Sequence, residues 1–332
     1  MKQWRFWIGV VISLVCLVLV LWRIDYREVL ESLRQANYAW LIPASLPFAG
    51  TIASKVLRWQ LLFPGDHSKI RRNKLLSALM ISYALNTLLP ARLGELARAY
   101  VIGESENLSK SLAFSTIVVE KVLDVLTLLL FLVLLLPFVA LPSWIQQSAM
   151  VLAPVFLGLL VLILALAYQR KRTLALVHSI VGRVPRLGAV RLLASLDAAL
   201  SGFDVLSSVR TNLILWGWSI AVWATSGLFM LLVMFAFHID APPAAALLLL
   251  CVTSLGMTVP SSPGYIGVYH WLVVSTLHIF GVDRELALSF AFALHALTFL
   301  PLTLIGIYCM MRENYSLQRI EEGALRGPRA RA

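Results

Sequence analysis

Six stretches of this chain are continuously apolar over about the length that bilayer hydrocarbon demands of a helix, roughly 20 residues. They fall at 5–22, 38–58, 116–140, 144–168, 212–237 and 284–311. Such runs predict membrane-spanning helices. A transmembrane β-barrel would alternate with period two, and these runs do not. Hydrophobic residues make up 60% of the 332 and charged residues 14%, against roughly 45–50% and 25% in soluble domains. A soluble globular enzyme and a disordered chain are therefore excluded. The expected fold class is all-α, a polytopic helical membrane protein with about six full spans.

Two further stretches are apolar but interrupted. The first, 74–103, breaks at Asn86-Thr87-Leu88-Leu89-Pro90, and the second, 242–280, at Pro260-Ser261-Ser262-Pro263-Gly264. Proline lacks the backbone N–H and disfavours helix at the residue before it, while Gly264 and Gly267 loosen the second break further. Kinked ordinary spans carry such residues too. Non-helical backbone at membrane depth, however, persists only when buried in protein or lining a water-filled cavity. Paired breaks in otherwise apolar stretches match the broken helices of secondary transporters. Each break is either a re-entrant hairpin or a pair of short crossings, and the sequence leaves both open. The spacing Leu85-x4-Pro90-x3-Gly94 is echoed by Leu255-x4-Pro260-x3-Gly264. An inverted repeat of that kind would put a central site between the breaks.

The net charge of +11 is carried mostly by loops. Arg58, Lys69, Arg71, Arg72 and Lys74 crowd one, seven basic residues another at 169–210, and five the tail after 311, whereas the turns at 137–147 and 236–243 have none. The positive-inside rule then puts both termini and the basic loops in the cytoplasm, the membrane being a bacterial inner membrane. The charge is read as topology and contact with anionic lipid headgroups, with no nucleic acid partner. The first run follows Lys2 and Arg5 like a signal peptide, but Arg23-Ile24-Asp25 replaces a small-x-small cleavage site, so an uncleaved helix is expected. Residues 1–312 read as one transmembrane domain. Within its 169–210 loop, Leu192, Leu193, Leu196, Leu200 and Phe203 recur at helical spacing. That pattern suits an amphipathic helix on the cytoplasmic surface or a loop helix packed on the bundle. Residues 313–332 form a basic tail, expected to be disordered.

The chemistry-bearing residues gather beside the first break. Arg92, Glu95 and Arg98 are spaced i,i+3 on a helix. They form either a hydrated helix end or a basic pocket for a phosphate or carboxylate headgroup, which the planar guanidinium suits. Glu120 and Asp124, four apart, share a helix face and repel unless a cation is near; Lys121, Arg58, Arg92 and Arg98 are the candidates. Lys55 and Arg58 close the second span, where snorkelling accounts for them. Cys16, Cys251 and Cys309 are far apart, the histidines show no ligand spacing, and there is no GxSxG, Walker or dinucleotide motif. No metal, cofactor or catalytic residue is expected. A membrane glycosyltransferase using Glu95, Glu120 or Asp124 as base is the alternative to a non-enzyme.

Asn86-x3-Pro90-x-Arg92-x-Gly94-Glu95-x2-Arg98 resembles the signature of the lysylphosphatidylglycerol synthase transmembrane-region family, also called flippase-like domain proteins. Glu120-Lys121-x2-Asp124 resembles that family's charged helix start, Pro260-x2-Pro263-Gly264-x2-Gly267 its late element, and Arg58 the arginine that often ends its second span. The likeness covers about 1–312. It implies a domain that moves lipids between leaflets, with these residues forming the lipid-binding and translocation site. Membrane lipids with anionic headgroups would be its partners, and a lipid-synthesis enzyme another. The fused aminoacyl-transferase domain of bifunctional relatives is not present in this sequence, so synthesis of a lysyl-lipid is not expected, and the lipid itself does not carry over.

Overall fold

A computed structural model describes residues 3–22, 24–65, 69–89, 93–139, 143–168, 197, 204–258 and 261–316. Helices occupy each apolar stretch: α1 (Gln3–Leu21), α2 (Tyr26–Gln35), α3 (Leu41–Leu61), α4 (Arg72–Leu88), α5 (Gly94–Ser105), α6 (Lys110–Leu135), α7 (Ser143–Tyr168), α8 (Val209–Ala236), α9 (Pro243–Gly256), α10 (Val268–His278) and α11 (Arg284–Arg312). No strand occurs among the described residues. Among the described residues, three segments are long and apolar enough to cross a membrane: Tyr38–Leu61, Val209–Ala236 and Arg284–Arg312. Gly9–Leu21 and Tyr26–Gln35 form a pair bent by 85° that makes up to a fourth.

Helix α2 lies between the first two apolar stretches, outside any apolar run. The Asp25 carboxylate accepts from the Arg27 N–H at 2.8 Å and so caps the helix. Its one buried residue, Val29, is held through its carbonyl by Ser289 of α11 at 3.0 Å. One buried apolar residue in ten is too thin a stripe to be read as a helix without its neighbour.

Both interrupted stretches do break where proline and glycine cluster. In the first, α4 ends at Leu88 and α5 begins at Gly94; in the second, α9 and α10 flank a single 3-10 turn, Pro263–Tyr265. The second break is gripped by two elements. Helix α1 reaches it through Ser13, whose hydroxyl accepts from the Ser262 N–H at 2.8 Å. Gly267, at φ +91, sits against the Ser13 carbonyl where any Cβ would collide. The turn also lies on α4, where a Cβ built on Gly264 would stand 3.8 Å from the Thr87 carbonyl. The two breaks are therefore neighbours, and α11 closes on α4 beside them, with Gly306 against Met80.

Elsewhere α3 and α8 run side by side, joined by Thr51–Thr225 and Thr51–Ser226 hydroxyl contacts of 2.8 and 3.2 Å and by Phe48 on Phe229. Buried side chains form two apolar cores. One joins the N-terminal region to α8–α11, and the other joins the C-terminal part of α3 to α4, α5 and the start of α6. On α6 they meet between Leu123 and Val125, at Asp124. The expected amphipathic segment at 173–203 lies outside the described residues save Asp197, as does the tail beyond 316.

Candidate functional site

Helix α6 carries the centre of the site. Glu120 and Asp124 do share a face, and two arginines meet them there. Arg98 of α5 forms a two-pronged pair with Glu120, Nη1 to Oε1 at 3.0 Å and Nη2 to Oε2 at 2.8 Å. Arg58 of α3 contacts Asp124 at 2.7 Å and lies 3.6 Å from Glu120. It also donates to the Ser219 hydroxyl of α8 at 3.0 Å. Arg58 is 0% exposed and Glu120 2%, so these charges are solvated by one another. Snorkelling does not describe Arg58. Its side chain turns into the bundle, because a buried carboxylate pair needs a cation more than the arginine needs water.

Aromatic side chains complete this shell. The Arg98 guanidinium stacks on Trp59, 3.6 Å from the ring centre, and the Trp59 indole N–H donates to the Thr116 hydroxyl at 3.0 Å. The Trp223 indole N–H donates to Asp124 at 3.2 Å. Trp59, Thr116, Ser219 and Trp223 were not legible as site residues. Trp59 adjoins Arg58 in sequence, but nothing local marks the other three.

A second group sits at the first break. The Asn86 carbonyl oxygen accepts from the Gly94 N–H at 2.9 Å, and its amide donates to both Glu95 oxygens at 3.3 Å. A side chain of α4 thus caps the first turn of α5 and holds Glu95 there, where the helix dipole favours an anion. Gly94 is required by proximity, since a Cβ would overlap the Ser82 carbonyl and Asn86. Lys121 pairs with Glu95 at 3.2 Å and not with Asp124. It is 52% exposed. Pro90 and Arg92 lie outside the described residues, as does Pro260.

The structure therefore brings Arg58, Arg98, Glu120 and Asp124 into one cluster and Asn86, Gly94, Glu95 and Lys121 into an adjoining one. Pro263, Gly264 and Gly267 form the turn packed against α4. At that turn, His295 of α11 bonds the Gly264 carbonyl through Nε2 at 2.7 Å. Its ring lies 5.0 Å from His270 and 5.3 Å from Tyr269 of α10. Both His270 nitrogens and the Tyr269 hydroxyl are buried without a hydrogen-bond partner among the described residues. The scattered spacing of these histidines hid their meeting. At the ends of α4, α5 and α11, a pocket of about 400 Å³ is lined by Arg71, Lys74 and Arg312 among others. Arg71 pairs with Glu106, and Lys74 with Glu313.

The family model described as the lysylphosphatidylglycerol synthase TM region matches residues 6–306. A UPF0104 membrane protein of Methanothermobacter thermautotrophicus is 22% identical over 90% of this chain and 92% of its own. Glycosyltransferase AglD of Haloferax volcanii is 24% identical over 95% of this chain, which spans 56% of that relative's length. No solved structure matches.

Proposed function

From the premise that the chain belongs to the lysylphosphatidylglycerol synthase TM-region family, and so is a membrane protein, we propose that it moves a lipid between the leaflets of a bacterial inner membrane. The lipid is an anionic or modified phospholipid or a lipid-linked precursor. In this reading six full spans and the two broken elements build the domain, and both termini face the cytoplasm. Arg58, Asn86, Pro90, Arg92, Gly94, Glu95, Arg98, Glu120, Lys121, Asp124, Pro260, Pro263, Gly264 and Gly267 form the translocation site, and a lipid-synthesis enzyme supplies the substrate.

The observation that carries the proposal is the charge cluster of Arg58, Arg98, Glu120 and Asp124 beside two adjoining helix breaks. A headgroup crossing hydrocarbon must exchange hydration for fixed polar partners. Buried charges next to non-helical backbone supply such partners. Arg98 is already committed to Glu120, so its work is to position the carboxylates, while half-exposed Lys121, paired with Glu95, faces the headgroup.

Purified protein in vesicles with a labelled phospholipid tests this. Headgroup exposure that changes with time, with no new product, is the expected result; exposure identical to protein-free vesicles would sink it. The likeness to a glycosyltransferase motivates a second reading, a glycosyltransferase or an accessory subunit of glycolipid assembly. A donor sugar added to the same vesicles would then yield a glycosylated lipid.

A further inference from the structure

Within the cluster every carboxylate is already matched. Glu120 pairs with Arg98 and Arg58, Asp124 with Arg58, and Glu95 with Lys121. Among the described residues beside the cluster, one cation is left over. Lys55 of α3, a turn from Arg58, has no carboxylate within ion-pair distance among the described residues. Its ammonium lies 5.2 Å from the centre of the Trp223 ring and 5.9 Å from that of Tyr83.

The place is as telling as the surplus. Trp223 stands midway along Val209–Ala236, so at 1.5 Å per residue it is about 20 Å from either end of that helix. The Lys55 ammonium is therefore near the middle of the bundle's height and not drawn to an interface, which is what snorkelling would require. Tyr83 is likewise well inside α4. Aromatic faces stabilise a cation by about 0.5–2 kcal/mol. A lone charge at the centre of a span costs roughly 2.5–3.5 kcal/mol on insertion scales. The rings alone do not offset that cost, and an anion would. Lys55 and Tyr83 are both half-buried, so the position is not sealed against one.

We propose that Lys55, shelved on Trp223 and Tyr83, is the cation that binds a phosphate group at mid-membrane, carried by an anionic lipid headgroup or as free phosphate. The lipid source rests on the transport reading above. The four charges Arg58, Arg98, Glu120 and Asp124 then act as a neutral scaffold. They fix Trp223 through Asp124, and Trp223 in turn holds Lys55.

The test is binding by native mass spectrometry of the full chain, titrated separately with phosphatidylglycerol, phosphatidylcholine and inorganic phosphate. Lys55→Met removes a surplus cation and keeps the chain length, so it is expected to fold at least as well as the wild type. It should weaken phosphatidylglycerol binding by about tenfold, and Lys55→Arg should restore it. Should Lys55→Met not be monodisperse, Lys55→Gln carries the same comparison. Lys55-dependent binding of inorganic phosphate, with phosphatidylglycerol indifferent, keeps the phosphate site and assigns it to the free ion. Unchanged binding of both ligands in Lys55→Met overturns the proposal. If the wild type moves lipid while Lys55→Met binds normally, this site alone is wrong. If Lys55-dependent binding occurs without any movement, the transport reading alone is wrong.

Discussion

Arg98 does more than neutralise Glu120. It makes two parallel hydrogen bonds while stacking on Trp59, a combination open to a planar guanidinium and closed to an ammonium. Arg98→Lys keeps the charge but loses one prong and the stack. It is expected to lower the thermal midpoint in detergent, by the equivalent of about 1–3 kcal/mol. Glu120→Gln should be worse, about 3–5 kcal/mol, because the buried Arg98 guanidinium loses its counter-charge and Arg58 is left with Asp124 alone. Combining Glu120→Leu with Arg98→Met should recover part of that loss; a double variant less stable than either single one would show that the pair is not an independent unit. His270 makes the opposite case. Its two nitrogens are buried and unpartnered while its ring packs on Phe292 and His295. His270→Phe keeps the packing and removes the unsatisfied atoms, so the midpoint should hold or rise.

At the scale of elements, close backbone approach decides where helices stop and meet. Gly267 combines a positive φ with the Ser13 carbonyl of α1 behind it, so Gly267→Ala is both strained and crowded. Gly217, on α8, has nothing within 4 Å of the position its Cβ would take. Gly267→Ala should therefore lower the thermal midpoint and loosen α1, read as faster proteolysis near Ser13. Gly217→Ala should be neutral or stabilising by up to about 1 kcal/mol. Similar midpoints for the two variants would mean that α1 is not clamped on the second break. Asn86 belongs to this scale too, since it joins two helices across the first break. Asn86→Leu should uncap α5 and release Glu95, at a cost of about 0.5–2 kcal/mol.

For the whole molecule, orientation is a matter of loop charge. A cytoplasmic reporter fused after Ala332 should be active, and one inserted between 236 and 243 should be active only if it works in the periplasm. The reverse pattern would invert the proposed topology and turn the Arg71, Lys74 and Arg312 pocket toward the outside. The same two fusions bear on the span count, because an odd number of crossings must separate the 236–243 turn from Ala332 if they lie on opposite sides.

Sequence alone determined the helical class, the family motifs and both breaks. These rest on local properties: apolar run length, the missing proline N–H and residue spacing. It also marked Glu120 and Asp124 as needing a cation, because four-residue spacing puts them on one helix face whatever surrounds them. Which cation answers which carboxylate was decided by the tertiary structure. Arg58 and Arg98 lie 62 and 22 residues before Glu120 in sequence, on different helices, and only packing brings α3 and α5 to α6. The same holds for Trp223, 99 residues from Asp124, and for His270 meeting His295. Lys55 shows the difference most plainly. As a residue near a helix end it reads as a snorkelling anchor, and only the rings of α4 and α8 beside it place its charge at mid-bundle, with no carboxylate partner among the described residues.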